Sequence, residues 1–342
     1  MRTLLVFFAV WSVTAARAPA APQQEIGDSA IAIPITAVRV LASVDGGAAT
    51  AGPIHARKDQ RVTLYAAVEA GGRWYTDAPW PRARPLARAP HARLTWNRIE
   101  PAAADYSNED AAGFHFTPID YRATKFDALA GEVSADVRPT LPPDPGDGVG
   151  TMRYQLVVIQ GDRTLATPGA EARRGRGSGG LTDAVMRVSI RRDDTYLGYL
   201  TEMFGQPYIW ASAGTTDASH QSEHLEGSDC ADFVVYGARR MGKKLSYTWT
   251  GGLPGVTKLL AAGTRGDDGV YRDGKGNPLP FTKVGDLVLF PRHVGVLAKD
   301  RGTIGVLDDQ DLMMHTLFDS PKEQAIADSG YADKPVELRR FR

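Results

Sequence analysis

The chain contains a single cysteine, Cys230, at a position where its thiol could act as a nucleophile. Residues 231–242 follow it, and their apolar side chains recur at helical spacing until Gly242, a residue type that commonly ends helices. At the start of a helix, unpaired N–H groups and the helix dipole favour a thiolate over a thiol. We therefore predict a nucleophilic thiolate at a helix start, although free cysteines are also common as inert core residues.

A nucleophilic cysteine requires a base, and His293 is the candidate. It follows a short turn after the apolar stretch 284–290 and begins a second apolar stretch, 293–297. A histidine on a strand is held rigidly, which suits a general base. A third polar group should fix the tautomer of that base, and His315, on the next expected strand, is the candidate for it. A hydrogen-bonded core histidine is the alternative for His315.

Four short sequence blocks resemble, in the same order, those of the NlpC/P60 cysteine peptidases. They are GQPYIW at 205–210, GSDC at 227–230, GDLVLF at 285–290 and HVGV at 293–296. The resemblance spans residues 195–320 and implies a papain-like α+β domain, in which the nucleophile begins a helix packed on a small antiparallel sheet that carries the base. It also implies cleavage of amide bonds in peptidoglycan stem peptides, with Cys230 as nucleophile, His293 as base and His315 as orienting residue. No cofactor is expected.

The sequence around the expected nucleophile departs from the family pattern. By resemblance Tyr208 lines the site, and we predict that Asp229 and Asp232 contact the substrate. The family usually reads D-C-S-G-F, whereas this chain reads D-C-A-D-F from Asp229 to Phe233, so the usual stem-peptide specificity is in question. Asp232 adds a negative charge in the first helical turn, which would raise the pKa of the Cys230 thiol if the side chain points inward.

Three functions remain open from these residues. The first is an exported cysteine peptidase or amidase that acts on peptidoglycan peptides. The second is a catalytically silent envelope protein that binds or scaffolds and keeps the fold. The third is a thiol amidase that acts on a non-murein amide. Intact Cys230 and His293 favour an enzyme, since a silent domain has no chemical need for either side chain.

The segment between Trp210 and Asp229 is longer than in the family and carries groups that bind metals in other proteins. On a helix, His220 and His224 would share one face, as a pair of transition-metal ligands does. Gln221 stands where the metalloprotease motif H-E-x-x-H has its glutamate. We therefore predict a polar loop at the rim of the active site and no metal site.

The first half of the chain predicts a different architecture. Apolar residues alternate with small or polar ones over 31–35, 62–68, 94–96 and 186–190. Such stretches, separated by loops rich in proline and glycine, are typical of antiparallel strands, so we predict an immunoglobulin-like β-sandwich over residues 28–192. Helical spacing begins near Asp193, which places the α+β domain at 193–342. Asp193 or Asp194 is expected to cap a helix over 196–204.

Composition restricts the partners of the chain. Its 40 Lys+Arg residues balance 40 Asp+Glu residues, so nucleic acid, which requires clustered positive charge, is not an expected partner. Two loops, 73–93 and 168–180, are nevertheless rich in arginine. They could contact an anionic polymer or a membrane surface. No aromatic or phosphate-cradling pattern accompanies the charge, so we interpret both as solvated, mobile loops.

The first 20 residues have the features of a secretory signal peptide. Arg2 precedes an apolar run over 4–11, and small residues follow, with cleavage expected after Ala16 or Ala20. An uncleaved membrane anchor is the alternative, although the run is too short to span a bilayer comfortably. We expect an exported protein, periplasmic or secreted, without a membrane span once the signal is removed. The sequence does not indicate the oligomeric state.

Overall fold

The computed structural model describes residues 24–126, 131–139, 148–175 and 177–342, and the predicted signal peptide lies outside them. The fold is of mixed α+β class and consists mostly of strands in several sheets. The strands of the first half, residues 24–192, are β1 (Gln24–Ile26), β2 (Ile35–Val44), β3 (Ile54–Arg57), β4 (Val62–Ala70), β5 (Arg73–Tyr75), β6 (Ala92–Pro101), β7 (Asp105–Ser107), β8 (Glu109–Asp110), β9 (Gly113–Phe114), β10 (Tyr121–Phe126), β11 (Glu132–Ser134), β12 (Gly150–Gln160), β13 (Arg163–Ala166) and β14 (Met186–Arg191).

The second half, residues 193–342, is described throughout and contains the α-helices. These are α1 (Tyr196–Leu200), α2 (Cys230–Arg240) and α3 (Leu253–Val256). Its strands are β15 (Tyr208–Trp210), β16 (Thr257–Arg265), β17 (Tyr271–Arg272), β18 (Leu287–Phe290), β19 (His293–Lys299), β20 (Leu312–His315), β21 (Lys322–Ala325) and β22 (Val336–Phe341).

Two sheets with a shared core form most of the first half. The larger has the order β1-β6-β12-β14-β3, with β10 joined to β6 and β13 to β12; the smaller has the order β11-β4-β2, with β5 joined to β4. Strand β2 contacts β12 and β13, and apolar side chains of both sheets meet in one cluster that includes Leu64, Trp96 and Leu156. Pairing in these sheets is antiparallel except between β3 and β14, which are parallel, so the expectation of a wholly antiparallel sandwich is wrong at that edge. The immunoglobulin-like topology stays a prediction.

Three of the four alternating stretches form strands as predicted. They are 62–68 in β4, 94–96 in β6 and 186–190 in β14. The prediction for 31–35 is wrong except at its end, because β2 begins only at Ile35 and Ile33 is exposed. Pro34 directly precedes the strand and has no N–H group to offer a neighbouring strand.

Strand β14 is buried on both faces, which its alternating sequence does not indicate. Arg187 and Ser189, expected to point to solvent, are only 8% and 0% exposed. Ser189 accepts a hydrogen bond from the hydroxyl of Thr151 at 2.7 Å, and Arg187 donates to the carbonyl of His224 in the second half. The main hydrophobic cluster likewise contains residues from both halves. The second half therefore covers the face of β14 that faces away from the sandwich core.

The third large sheet belongs to the second half and is antiparallel. Its order is β17-β16-β22-β18-β19-β20-β21. Helix α2 packs on β19 and β20 and also contacts α1. A helix packed on an antiparallel sheet agrees with the predicted α+β class, while the papain-like topology stays a prediction.

The two helices that the sequence predicts are present, and only the cap of α1 differs. Helix α2 ends near Gly242 as predicted, and the helix expected over 196–204 is α1 followed by a 3₁₀ turn. The expected cap is wrong: Thr195, rather than Asp193 or Asp194, caps α1 by accepting the N–H of Gly198 at 3.1 Å. Asp193 instead accepts the N–H of Thr195 at 2.8 Å, which orients the true cap. Among the described residues, no helix is long and apolar enough to cross a membrane.

Candidate active site

Cys230 is the first residue of α2, at the helix start that the sequence predicts. The Oδ1 atom of Asp229 accepts hydrogen bonds from the N–H groups of Ala231 and Asp232, both at 2.9 Å, and so caps the helix. The Cys230 side chain is nearly enclosed, since the residue is 4% exposed.

The segment before the cysteine is bound to β15. Ser228 donates its N–H to the carbonyl of Pro207 at 3.3 Å, and Ile209 donates its N–H to the carbonyl of Ser228 at 3.0 Å. Gly227 has φ +145°, and a Cβ there would lie 2.5 Å from the carbonyl oxygen of Pro207. Glycine is therefore needed for the two backbones to approach this closely.

His293 and His315 meet on adjacent strands, as predicted. His293 begins β19, His315 ends β20, and the Nε2 atom of His293 lies 2.8 Å from the Nδ1 atom of His315. Gly295 lies between them on β19, and a Cβ there would lie 2.8 Å from the sulfur of Met313 and 3.4 Å from the Cβ of His315. Both rings are buried, and the Nδ1 atom of His293 and the Nε2 atom of His315 have no hydrogen-bond partner among the described residues.

The thiol of Cys230 lies against the strand that carries His293. The backbone of Val294, the next residue along β19, lies close enough to act on the pKa of the thiol, which it lowers. Tyr331 stacks on the His293 ring, with ring centroids 4.5 Å apart, and its phenol interacts electrostatically with Cys230. The cysteine, the histidine pair and Tyr331 therefore belong to one site.

Burial determines the protonation of this site. It raises the pKa of the Cys230 thiol, and the neighbouring Asp229 acts in the same direction. Burial also lowers the pKa of His293 to about 4 and holds the pKa of His315 well below its usual value. At neutral pH the site thus holds a thiol and two uncharged imidazoles. This differs from the thiolate expected at a helix start, because the loss of solvent outweighs the helix dipole.

Tyr208 lies at this site, in agreement with the role that the resemblance implies. It begins β15, which pairs in parallel with β7 of the first half so that Tyr208 stands opposite Asp105. Its ring contacts Phe318 edge-on, with centroids 5.4 Å apart. Burial is the main cause that raises the pKa of the phenol, and the nearby Cys230 and Asp229 raise it further, so the phenol stays protonated at neutral pH. Strand β7 of the first half therefore positions Tyr208, a candidate site residue of the second half.

Asp232, the departure from the family pattern, is held by the inserted loop. Its Oδ2 atom accepts a hydrogen bond from the hydroxyl of Ser212 at 2.5 Å and lies 3.4 Å from the Nε2 atom of His220. The His220 ring in turn stacks on Tyr247, with centroids 3.7 Å apart. Asp232 and His220 are both 5% exposed. The unusual aspartate and the long loop therefore form one structural unit.

His224 points away from His220, so the two do not form a metal-binding pair. Its Nε2 atom lies 3.1 Å from Arg174, which also donates to the buried Glu226 at 3.1 Å. Arg174 belongs to the arginine-rich segment 168–180, which is therefore joined to the second half and is not the solvated loop that its composition predicts. Among the described residues, no group of three His, Cys, Asp or Glu side chains could hold a metal ion.

An open cleft of about 610 Å³ adjoins the start of α2. Asp229, Asp232 and His220 line it, together with Tyr247 and Trp249. The acidic side chains predicted to contact substrate therefore face a space that a substrate can enter. Residues 211–217 of the inserted loop also line this cleft, whereas Cys230 and His293 do not, so the position of the loop at the rim of the active site stays a prediction.

Three contributors to the site escaped the sequence analysis. Ser212 binds Asp232 and also accepts the N–H of Asp229 at 3.0 Å. Trp249 is 73% exposed, and the pair of aromatic residues Tyr247 and Trp249 is a signal that could have identified it. Tyr331 has no such signal, since it reaches His293 only through the tertiary fold.

Comparisons of the chain with protein-family models, with curated proteins and with solved structures found no match in any of the three. The likeness to NlpC/P60 peptidases rests on the four sequence blocks alone. What the site can do must therefore be argued from its own geometry.

Proposed function

We propose that the protein is an exported cysteine hydrolase that cleaves amide bonds, with peptidoglycan stem peptides as its substrate class. One observation carries the proposal: the Nε2 atom of His293 is hydrogen-bonded to His315, while its Nδ1 atom is buried without a partner among the described residues, on the strand whose backbone lies next to the Cys230 thiol. Buried polar atoms are nearly always satisfied, and exceptions often mark functional groups. Export and the stem-peptide substrate are supported by the sequence of residues 1–20 and by the four blocks.

The chemistry starts from neutral partners. His293 donates a hydrogen bond from Nε2 to His315, which leaves a lone pair on Nδ1. That nitrogen takes the thiol proton as the Cys230 sulfur attacks the amide carbonyl. The resulting imidazolium protonates the departing amine, and water then hydrolyses the acyl-enzyme. His315 acts by holding the productive tautomer of His293.

The cap of α2 determines which N–H groups are free to bind the oxyanion of the reaction intermediate. The Oδ1 atom of Asp229 accepts the N–H groups of Ala231 and Asp232, so the N–H of Cys230 is the one that remains for the oxyanion. The protonated phenol of Tyr208 lies close enough to Cys230 to interact with it electrostatically and supplies a second donor.

A catalytically silent envelope protein is the second candidate, and the closure of the site favours it. Cys230 is 4% exposed and His293 is fully buried. Tyr331 covers the His293 ring. A substrate must displace Tyr331 or a neighbouring side chain before it can reach the sulfur.

Digestion of purified sacculi and of isolated stem peptides, followed by mass spectrometry, separates the candidates. We expect cleaved stem peptides from the wild type and a loss of about 100-fold or more in Cys230→Ser and in His293→Gln. His91→Gln is the matched control, because His91 is an exposed histidine of the first half. Intact sacculi and intact peptides with folded wild-type protein would support the silent candidate. Cleavage of other amides alone would move the substrate away from murein.

A further inference from the structure

The arginine-rich segment 73–93 forms part of a cleft on the smaller sheet of the first half. The cleft has a volume of about 490 Å³ and is lined by Arg39, Gly72, Arg73, Trp74, Trp80, Pro81, Arg82 and Arg84. The fold thus brings arginines and tryptophans together, an arrangement that their sequence spacing does not show. The volume lies within the usual range for small-ligand sites.

Two tryptophans form the floor of this cleft. The rings of Trp74 and Trp80 meet edge to face, with centroids 5.5 Å apart and an interplanar angle of 65°. The guanidinium of Arg39 lies over both rings, 4.9 Å from the centroid of Trp74 and 5.9 Å from that of Trp80. Leu41 and Tyr65 pack behind them. Both tryptophans are therefore held in place and keep part of their surface in solvent.

Backbone and side-chain hydrogen bonds hold the segment. Thr76 donates its N–H to the carbonyl of Arg84 at 2.8 Å, and Arg84 donates its N–H to the carbonyl of Trp74 at 3.0 Å. Asp77 accepts the N–H of Leu86 at 2.9 Å. These bonds argue against the interpretation of this segment as a mobile loop.

The charge of the cleft is uncompensated. Its four arginines are exposed, no acidic residue lines it, and none of the four has an ion pair within the described part of the chain. Glu69 and Glu132 lie on the same face of the sheet, opposite Trp74 and Tyr65, and neither lines the cleft. Arg82 has φ +64°, a backbone conformation that is uncommon for residues other than glycine.

We propose that this cleft binds an acidic polysaccharide whose sugar rings carry carboxylates. Partly exposed tryptophan rings stack on the apolar faces of sugars, and guanidinium groups bind carboxylates in a bidentate geometry. The size of the basic surface disfavours one other anion. Nucleic acid would need a larger basic surface than four arginines on a chain without net charge. This inference does not depend on the hydrolase proposal, since the cleft and the cysteine site share no residue.

Titration calorimetry with hexagalacturonic acid, beside neutral cellohexaose, tests the proposal. We expect hexagalacturonic acid to bind and cellohexaose to bind much more weakly, with affinity falling as salt is raised. The variant with Arg39→Gln and Arg84→Gln should lose about tenfold or more in affinity, and Trp80→Leu should lose binding to a similar extent. Arg88→Gln is the control, because Arg88 is an exposed arginine of the same segment that does not line the cleft.

Several results would overturn the proposal. Absence of binding, or equal binding of cellohexaose, removes the acidic sugar as the ligand. An equal loss in Arg88→Gln shows unspecific attraction to positive charge. Tighter binding of a thymidine oligonucleotide or of vesicles with anionic lipid assigns the cleft to phosphate. The arginine variants change exposed side chains, so they stay informative even if Trp80→Leu fails to fold.

Discussion

The Cys230 sulfur and the His293 ring share a buried space in which neither group carries charge at neutral pH. A preformed thiolate and imidazolium would need solvent or fixed dipoles that this space does not supply. The nucleophile is therefore formed only when His293 removes the thiol proton. A site of this kind is unreactive towards small electrophiles until a substrate is present.

Alkylation of the resting protein by iodoacetamide measures this state. A raised thiol pKa means a smaller thiolate fraction at every pH than in free cysteine, whose pKa is about 8.5. We expect slow alkylation at pH 7 and a rise in rate only well above pH 8.5. His293→Gln should change the rate little, since the resting site contains no ion pair. A fast rate on a plateau below pH 7 that disappears in His293→Gln would contradict this and restore the ion pair.

The pH dependence of hydrolysis follows from the same pKa shifts. The base is neutral above the pKa of His293, about 4, and is lost by protonation below it. Activity should therefore fall on the acid side near pH 4 rather than near 6.5, the ordinary histidine value. The free energy of unfolding should also fall as the pH falls from about 6.5 to about 4, because in this range the unfolded chain binds a proton on His293 that the folded chain does not bind.

At the level of helices and strands, local sequence patterns predicted the positions of several elements. They did not predict features that depend on residues far away in the sequence. Helical spacing predicted α2, and apolar runs predicted β18 and β19 with His293 at the start of β19, because these signals lie within one segment. The cap at Thr195, the burial of both faces of β14 and the pairing of β15 with β7 were not predictable in this way. Each is decided by residues far away in the sequence.

The contact between α2 and the inserted loop predicts a measurable coupling. Asp232 and His220 are both buried and face each other, so removal of either leaves the other without its partner. We expect Asp232→Asn and His220→Gln each to lower the free energy of unfolding by about 1–2 kcal/mol. The double variant should cost less than their sum by about 1 kcal/mol.

Urea unfolding of the wild type, the two single variants and the double variant measures this coupling as a double-mutant cycle. Asp162→Asn is the control, because Asp162 is an exposed acidic residue of the first half and should change stability little. Additive effects within about 0.3 kcal/mol would show that loop and helix are energetically independent. The same variants in the sacculus digestion report whether this unit also selects the substrate.

In the whole molecule, the two halves are more closely joined than their sequence patterns suggest. Arg153 of β12 is 3% exposed and donates to the side chain of Gln206 at 3.0 Å and to the carbonyl of Leu225 at 2.8 Å. Strand β15 takes its partner β7 from the first half. A buried arginine loses these acceptors, and a strand loses its neighbour, when the halves are separated.

Residues 193–342 expressed alone should therefore not fold cooperatively. We expect weak near-UV circular dichroism and no sharp urea transition, because the shared hydrophobic cluster and β15 would be exposed. Coexpression with residues 24–192 should restore both signals. A sharp transition of the isolated half, at a urea concentration close to that of the whole chain, would show that the interface is dispensable.

The pairing of β7 with β15 has a kinetic consequence. Asn108, just after β7, donates from its Nδ2 atom to the carbonyl of Ala211, just after β15, at 3.1 Å and across 103 residues of sequence. Contacts of such high sequence separation close slowly and raise the contact order of the fold. Tyr208 reaches its place only when the first half offers β7, so we expect the cysteine site to be among the last parts of the molecule to form. A chain still being synthesised would then carry the nucleophile but no organised pocket around it.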